Sequence, residues 1–187
     1  MDPRYPSLKA HIQGFTLTGA HVNYEGGAAF IAATNSVSME SGSRGFVMGD
    51  AINAQITDCI ISNNYAIFGS AVYGGWVQRC LIADNTSNNR EVAVYRAVAS
   101  SCLLVNNYIN SDTCRQITES AAYNCTITDD TASHRLFDML GLYNCCCVGG
   151  QLPWPDSTYA TAYGCVSIGS KQNGAGIVNM EAFSNVD

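Results

Sequence analysis

A six-residue phrase recurs along this chain and decides what it can fold into. It reads Ile56-Thr57-Asp58-Cys59-Ile60-Ile61, then Val77-Gln78-Arg79-Cys80-Leu81-Ile82, then Ala99-Ser100-Ser101-Cys102-Leu103-Leu104. It continues as Ala122-Tyr123-Asn124-Cys125-Thr126-Ile127 and Leu142-Tyr143-Asn144-Cys145-Cys146-Cys147, and ends near Ala162-Tyr163-Gly164-Cys165. The cysteines lie 21, 22, 23, 20 and 20 residues apart. A period of that length marks a solenoid, in which each repeat buries its apolar face against its neighbours.

Inside each phrase the apolar positions fall three before the cysteine, at the cysteine and two after it. From the cysteine onward this is the period-2 alternation of a strand with one buried face. The step of three cannot come from one continuous strand, so a kink is expected just before the cysteine. That column reads Asp58, Arg79, Ser101, Asn124, Asn144 and Gly164, with Gly14 in an earlier copy. Gly, Asn, Asp and Ser accept left-handed or turn conformations, whereas Arg79 is the outlier.

The earlier copy is Ile12-Gln13-Gly14-Phe15-Thr16-Leu17, with Phe15 at the cysteine position. The 44 residues from Phe15 to Cys59 leave space for one degenerate turn around Thr34-Asn35-Ser36-Val37-Ser38-Met39. A second apolar strand follows each polar loop, for example Ala71-Val72-Tyr73, Val92-Ala93-Val94-Tyr95, Gln116-Ile117-Thr118 and Leu136-Phe137-Asp138-Met139. The expectation is an all-β coil of about eight turns, with about 21–22 residues per turn and a length of roughly 40 Å at the usual strand spacing.

Turns of this length, with Cys, Ile, Leu and Val inward and Asn or Gly at corners, resemble the right-handed parallel β-helix repeat family. The flavour is that of bacterial surface and adhesin-type proteins, on the phrases Asn124-Cys125-Thr126-Ile127 and Gly69-Ser70-Ala71-Val72-Tyr73-Gly74-Gly75. Pectate lyases, polygalacturonases and phage tailspikes share that pectin-lyase-like architecture. The resemblance covers residues 11–178 and implies the fold, not an activity, because functions are grafted onto such scaffolds. It also implies an extracellular or cell-surface setting, although the first ten residues lack a signal-peptide pattern.

With 187 residues the chain fits one domain: residues 1–10 as a cap or edge, 11–178 as repeats and 179–187 as a tail. It is also the size of a fragment of a longer protein. A net charge of −6 disfavours nucleic acid and anionic membranes as partners. No apolar run reaches the length of a membrane-spanning helix. Open coil ends expose unpaired strand edges, so flanking domains or a homo-oligomer are expected to cover them.

Nine cysteines invite a disulfide or metal reading. Cysteines stacked in one column point the same way, which suits bridging poorly, and thiols are good small apolar fillers. A buried, reduced column is therefore expected. Alternation sends Cys145 and Cys147 inward and Cys146 outward, so the triplet cannot converge on one ion.

Three groups of residues are candidates for function. The corner after each phrase reads Ser62-Asn63-Asn64, Ala83-Asp84-Asn85, Val105-Asn106-Asn107, Thr128-Asp129-Asp130 and Val148-Gly149-Gly150. It is read first as a turn ladder, with calcium at Asp84, Asp129 and Asp130 as the alternative. The loops before the second strands carry Arg90 with Glu91, Asp112 with Arg115, and His134 and Arg135 with Asp138. These form a surface salt-bridge ladder or else a cleft for an acidic sugar chain, since arginine forks bind carboxylates. Any catalysis would fall to Arg90, Glu91, Arg115 and Asp138, and ligand binding to Arg90, Arg115, Arg135, His134 and Trp154. The aromatic signals are the proline-flanked Trp154, Tyr73 and Trp76 beside Gly74-Gly75, and Tyr123, Tyr143 and Tyr163 as a stacked ladder.

The favoured function is a non-catalytic surface or spike-type module that binds glycans or a protein partner, without a required cofactor. The alternative is a lyase or hydrolase of acidic polysaccharide. No Ser–His–Asp-like arrangement supports triad chemistry.

Overall fold

A computed structural model describes residues 10–21, 29–30, 47–48, 54–68, 70–91, 93–109, 115–129, 135–149, 160–168 and 177–180. Every pairing among them is parallel, and no helix occurs in the described residues: the chain is a parallel β-solenoid with three sheets. Sheet A runs in the order Ala10–Gln13, Ala54–Thr57, Val72–Gln78, Val94–Ser100, Arg115–Tyr123, Arg135–Tyr143 and Ala160–Tyr163. Two short strands, Ala29–Phe30 and Val47–Met48, pair with the start of Val72–Gln78. Sheet B runs Thr16–Thr18, Ile60–Ser62, Leu81–Ala83, Leu103–Val105, Thr126–Asp129, Cys146–Gly149, Cys165–Ile168 and Ile177–Met180. Sheet C holds Tyr65–Phe68, Thr86–Glu91 and Tyr108–Ile109. Three successive turns thus contribute a strand to every sheet.

The expected kink is present in every copy. Asp58, Arg79, Ser101, Asn124, Asn144, Gly14 and Gly164 all have φ between 51° and 74°, the left-handed region. Arg79 belongs to the column after all, at φ 51°. Its guanidinium donates to both carboxylate oxygens of Asp58, at 2.6 and 2.8 Å, and Asp58 also accepts from Gln13 at 2.8 Å. This arginine bond, reinforced by Gln13, holds the Asp58 carboxyl at about 2, below its ordinary 3.8.

The kink turns three apolar positions per phrase to the same interior. Ile56, Cys59 and Ile61 are buried, as are Val77, Cys80 and Ile82, then Ala99, Cys102 and Leu104. Each fully buried Ile or Leu contributes about 1.5–3 kcal/mol, so this column is the main source of stability. Phe15 is the exception: at the cysteine position of the first copy it stays 62% exposed, in a turn whose Ile12 and Leu17 are themselves only half-buried.

The expectation of eight turns is not met. Ile12 pairs directly with Ile56, and Thr16–Thr18 with Ile60–Ser62. A parallel strand has one neighbour on each side, so no further turn can lie between these copies in sheets A and B. The residues proposed for that turn, 34–39, lie outside the described residues.

Candidate functional site

Each left-handed corner raises the same problem. The chain changes direction, and the N–H of the next residue faces a side chain of the following turn instead of a backbone carbonyl. A buried N–H without a partner costs about 1–3 kcal/mol. The sequence meets this with a side-chain acceptor at the equivalent position one turn on. At the first corner the acceptor is a thiol: Cys59 N–H reaches Cys80 Sγ, Cys102 N–H reaches Cys125 Sγ, and Cys145 N–H reaches Cys165 Sγ, at 3.4, 3.4 and 3.5 Å. Each sulfur also donates to the carbonyl two residues back, as Cys59 does to Thr57 at 3.1 Å.

The eight cysteines in the described residues are free thiols. Burial, with nearby thiols second, pushes the Cys147 thiol well above its ordinary range. Cys146 faces outward and is half-buried, while Cys145 and Cys147 are buried, as alternation requires. The cysteine column is therefore structural.

At the second corner the acceptor is an asparagine. Asn63, Asp84 and Asn106 take φ of 53–55°, and the buried Asn64, Asn85 and Asn107 follow them. Asn64 N–H donates to Asn85 Oδ1 at 3.1 Å, and Asn85 N–H to Asn107 Oδ1 at 3.2 Å. The amides also donate to backbone carbonyls, Asn85 to Ile61 and Ala83 at 3.0 Å and Asn107 to Ile82 at 2.9 Å. At these three corners the asparagines form a hydrogen-bonded turn ladder. The Asp84 side chain points to solvent, Asp129 closes its strand opposite Gly149, and Asp130 lies outside the described residues. Among the described residues no three His, Cys, Asp or Glu side chains gather as metal ligands would.

A third left-handed corner lies within sheet A, at Gly74 and Gly75, then Arg96 and then Glu119. Here Ala97 N–H is accepted by Ser120 Oγ of the next turn at 3.0 Å. Around this corner a polar cluster forms on the outer face. Arg96 Nε donates to Glu119 Oε2, Arg96 Nη1 donates to the Tyr73 hydroxyl at 3.0 Å, and the Tyr95 hydroxyl donates to Glu119 Oε1 at 3.0 Å. The Arg96 guanidinium lies 5.1 Å from the Tyr95 ring centre, and the Tyr73 and Tyr95 rings meet edge to face at 4.9 Å. Burial first, then its bond to Glu119, raises the pKa of Tyr95, so its hydroxyl stays protonated as a donor.

The same face carries two further aromatic features. Trp76 is 41% exposed, on the strand beside Arg96. Tyr123, Tyr143 and Tyr163 are register partners and stack at 4.9 and 5.9 Å, with ring planes 10° and 16° apart. This is the expected tyrosine ladder, with Tyr163 56% exposed at its end.

The arginine and acid set of the sequence is only partly brought together. Arg115 and Arg135 are direct backbone partners at the starts of neighbouring sheet A strands, and Asp138 pairs with Thr118. Arg90 and Glu91 lie instead on the sheet C strand Thr86–Glu91, with Glu91 opposite Phe68. Asp112, Cys114, His134 and Trp154 lie outside the described residues.

Sequence reasoning missed the Arg96–Glu119 cluster. The available signal was its spacing: Tyr73 to Tyr95 and Arg96 to Glu119 are each one period apart, beside a Gly-Gly corner. No protein-family model matches the chain, and no curated protein or solved structure matches it either.

Proposed function

We propose that the protein is a non-catalytic binding module of the surface or spike type, holding a glycan chain along the outer face of sheet A. The observation that carries this reading is the outward aromatic content of that face: Trp76, the Tyr73–Tyr95 pair, and the tyrosine stack ending at Tyr163. Aromatic side chains present an apolar body with a polar tip, which suits the alternating apolar and hydroxyl surfaces of a sugar. Because the stacked tyrosines cover one another's faces, they offer a row of edges, while Trp76 and Tyr163 remain open for stacking.

Tyr73 and Tyr95, and Tyr123, Tyr143 and Tyr163, recur from turn to turn at about 4.8 Å, so an extended ligand fits better than a compact one. The fold behind the proposal is a right-handed parallel β-helix of the pectin-lyase-like kind. Its support is the left-handed residue before each core cysteine together with the parallel three-sheet pairing. The alternative, a lyase or hydrolase of acidic polysaccharide, has one observation in its favour, the direct pairing of Arg115 with Arg135.

Affinity gel electrophoresis against a polysaccharide panel, with ultraviolet absorbance read on the same mixtures, separates these readings. Retarded migration without new absorbance or new reducing ends is expected, and Tyr163→Ala should weaken retardation about threefold to tenfold, the scale of one aromatic contact. Unsaturated or shortened products would sink the non-catalytic reading. Unaltered migration on every polysaccharide would sink the glycan reading and leave a protein partner.

A further inference from the structure

We propose that the ligand of this face is a neutral polysaccharide, gripped at one point by Trp76 together with the Arg96–Glu119 pair. The inference rests on the glycan-binding reading above and adds a ligand class and a site. Arg96 and Glu119 are hydrogen-bonded to each other across one turn, so the cluster carries no net charge. The Arg96 side chain is nevertheless 53% exposed, and among the described residues its partners engage Nε and Nη1, which leaves guanidinium N–H groups for a ligand. Both Glu119 oxygens are occupied by Arg96 and Tyr95, yet each retains acceptor capacity.

The site therefore offers donors and acceptors side by side, the match for neighbouring hydroxyls of a sugar ring. An acidic sugar would meet the Glu119 carboxylate at close range, on a chain of net charge −6. The stacking surface is adjacent. Tyr73 pairs with Tyr95 and Trp76 with Val98, so Trp76 and Arg96 sit on neighbouring strands, offset by two residues. Strand geometry places their backbones about 8 Å apart, within the reach of one or two sugar residues.

Arg96 and Glu119 also hold φ of 52° and 48°, in a region that costs a residue other than glycine of order 1–3 kcal/mol. Their mutual bond and the tyrosine hydroxyls maintain that conformation and aim both side chains at the outer face.

The test uses the intact protein with two sets of probes: neutral β-glucan, mannan and xylan, and acidic polygalacturonate and alginate. Binding is measured at salt concentrations of about 0.01 and 1 M, where the screening length falls from about 30 Å to about 3 Å. The wild type should bind a neutral probe with affinity unchanged by salt. Trp76→Ala should weaken it about tenfold or more, as loss of a stacking residue does. Glu119→Gln leaves Arg96 with uncompensated charge. It should lose affinity for the neutral probe and gain salt-sensitive affinity for polygalacturonate.

Neutral binding that survives Trp76→Ala would overturn the site. Wild-type binding to the acidic probes alone, falling with salt, would overturn the neutral class while leaving the glycan reading intact. No binding to any probe, with far-ultraviolet circular dichroism confirming a folded β protein, would overturn both.

Discussion

The cysteine corner and the asparagine corner solve one backbone problem with two chemistries. Both follow a residue at φ of about 50–75°, both strand an N–H, and both borrow an acceptor from the next turn. The thiol does so weakly, at 3.4–3.5 Å, but fills space as an apolar group in a column shared with Ile, Leu and Val. The amide does so strongly, since it accepts at Oδ1 while Nδ2 binds carbonyls. The cysteine corner is therefore held mainly by packing, and the asparagine corner by hydrogen bonds. A corner that must be apolar takes a sulfur, and one with several backbone groups to satisfy takes an amide.

The largest test of this contrast is Asn85→Ala. It removes the acceptor for Asn64 N–H and the donors to Ile61, Ala83 and Asn107, all buried. A loss of about 3–5 kcal/mol in chemical denaturation is expected, the cost of breaking a buried network. A cost below 1 kcal/mol would mean the backbone re-forms its bonds without the amide. The second is Cys125→Ala, which leaves Cys102 N–H without its sulfur and opens a small cavity, for about 2–3 kcal/mol. Cys125→Ser restores an acceptor but not the apolar volume. If packing dominates this corner, serine should recover less than half of the loss. Full recovery by serine would make the two corners equivalent.

The smallest effect concerns the exposed side of the cysteine corner. Asp58 has a depressed pKa in the folded chain, so its pairing stabilises above about pH 3.8 and is lost as pH falls through about 2. Asp58→Asn keeps a side chain that tolerates the left-handed angle. Its melting temperature should lie slightly below the wild type at pH 5 and meet it below pH 2. A constant gap across that range would show that Arg79 contributes through its stem rather than its charge.

Much of the fold was legible because one residue per turn must satisfy a steric rule. The step of three before each cysteine demanded a kink, and Asn, Asp, Ser and Gly marked its place. Arg79 obeyed the rule without belonging to those types, since Asp58 one turn earlier binds it at two points. The turn count failed because 44 residues equal two periods, and spacing alone cannot tell an added turn from an excursion. Pairing of Ile12 with Ile56 decides it.

The third corner was hidden for a different reason. Gly74, Arg96 and Glu119 share a left-handed backbone conformation but no residue type, so no column stands out. Register alone brings Arg96 and Glu119 together across 23 residues. The tyrosine ladder, by contrast, was visible because its residue type repeats at Tyr123, Tyr143 and Tyr163.

The borrowed acceptors all point one way: each turn's stranded N–H is satisfied by the turn that follows it in sequence. Synthesis also runs from the N-terminus, so every newly emerged turn completes its predecessor. The growing coil would carry a single incomplete layer, at its leading edge, whatever length has been made. Growth in the opposite direction would add layers whose own N–H groups find acceptors already in place. The corners thus give the coil a polarity of assembly, distinct from the polarity of its parallel strands.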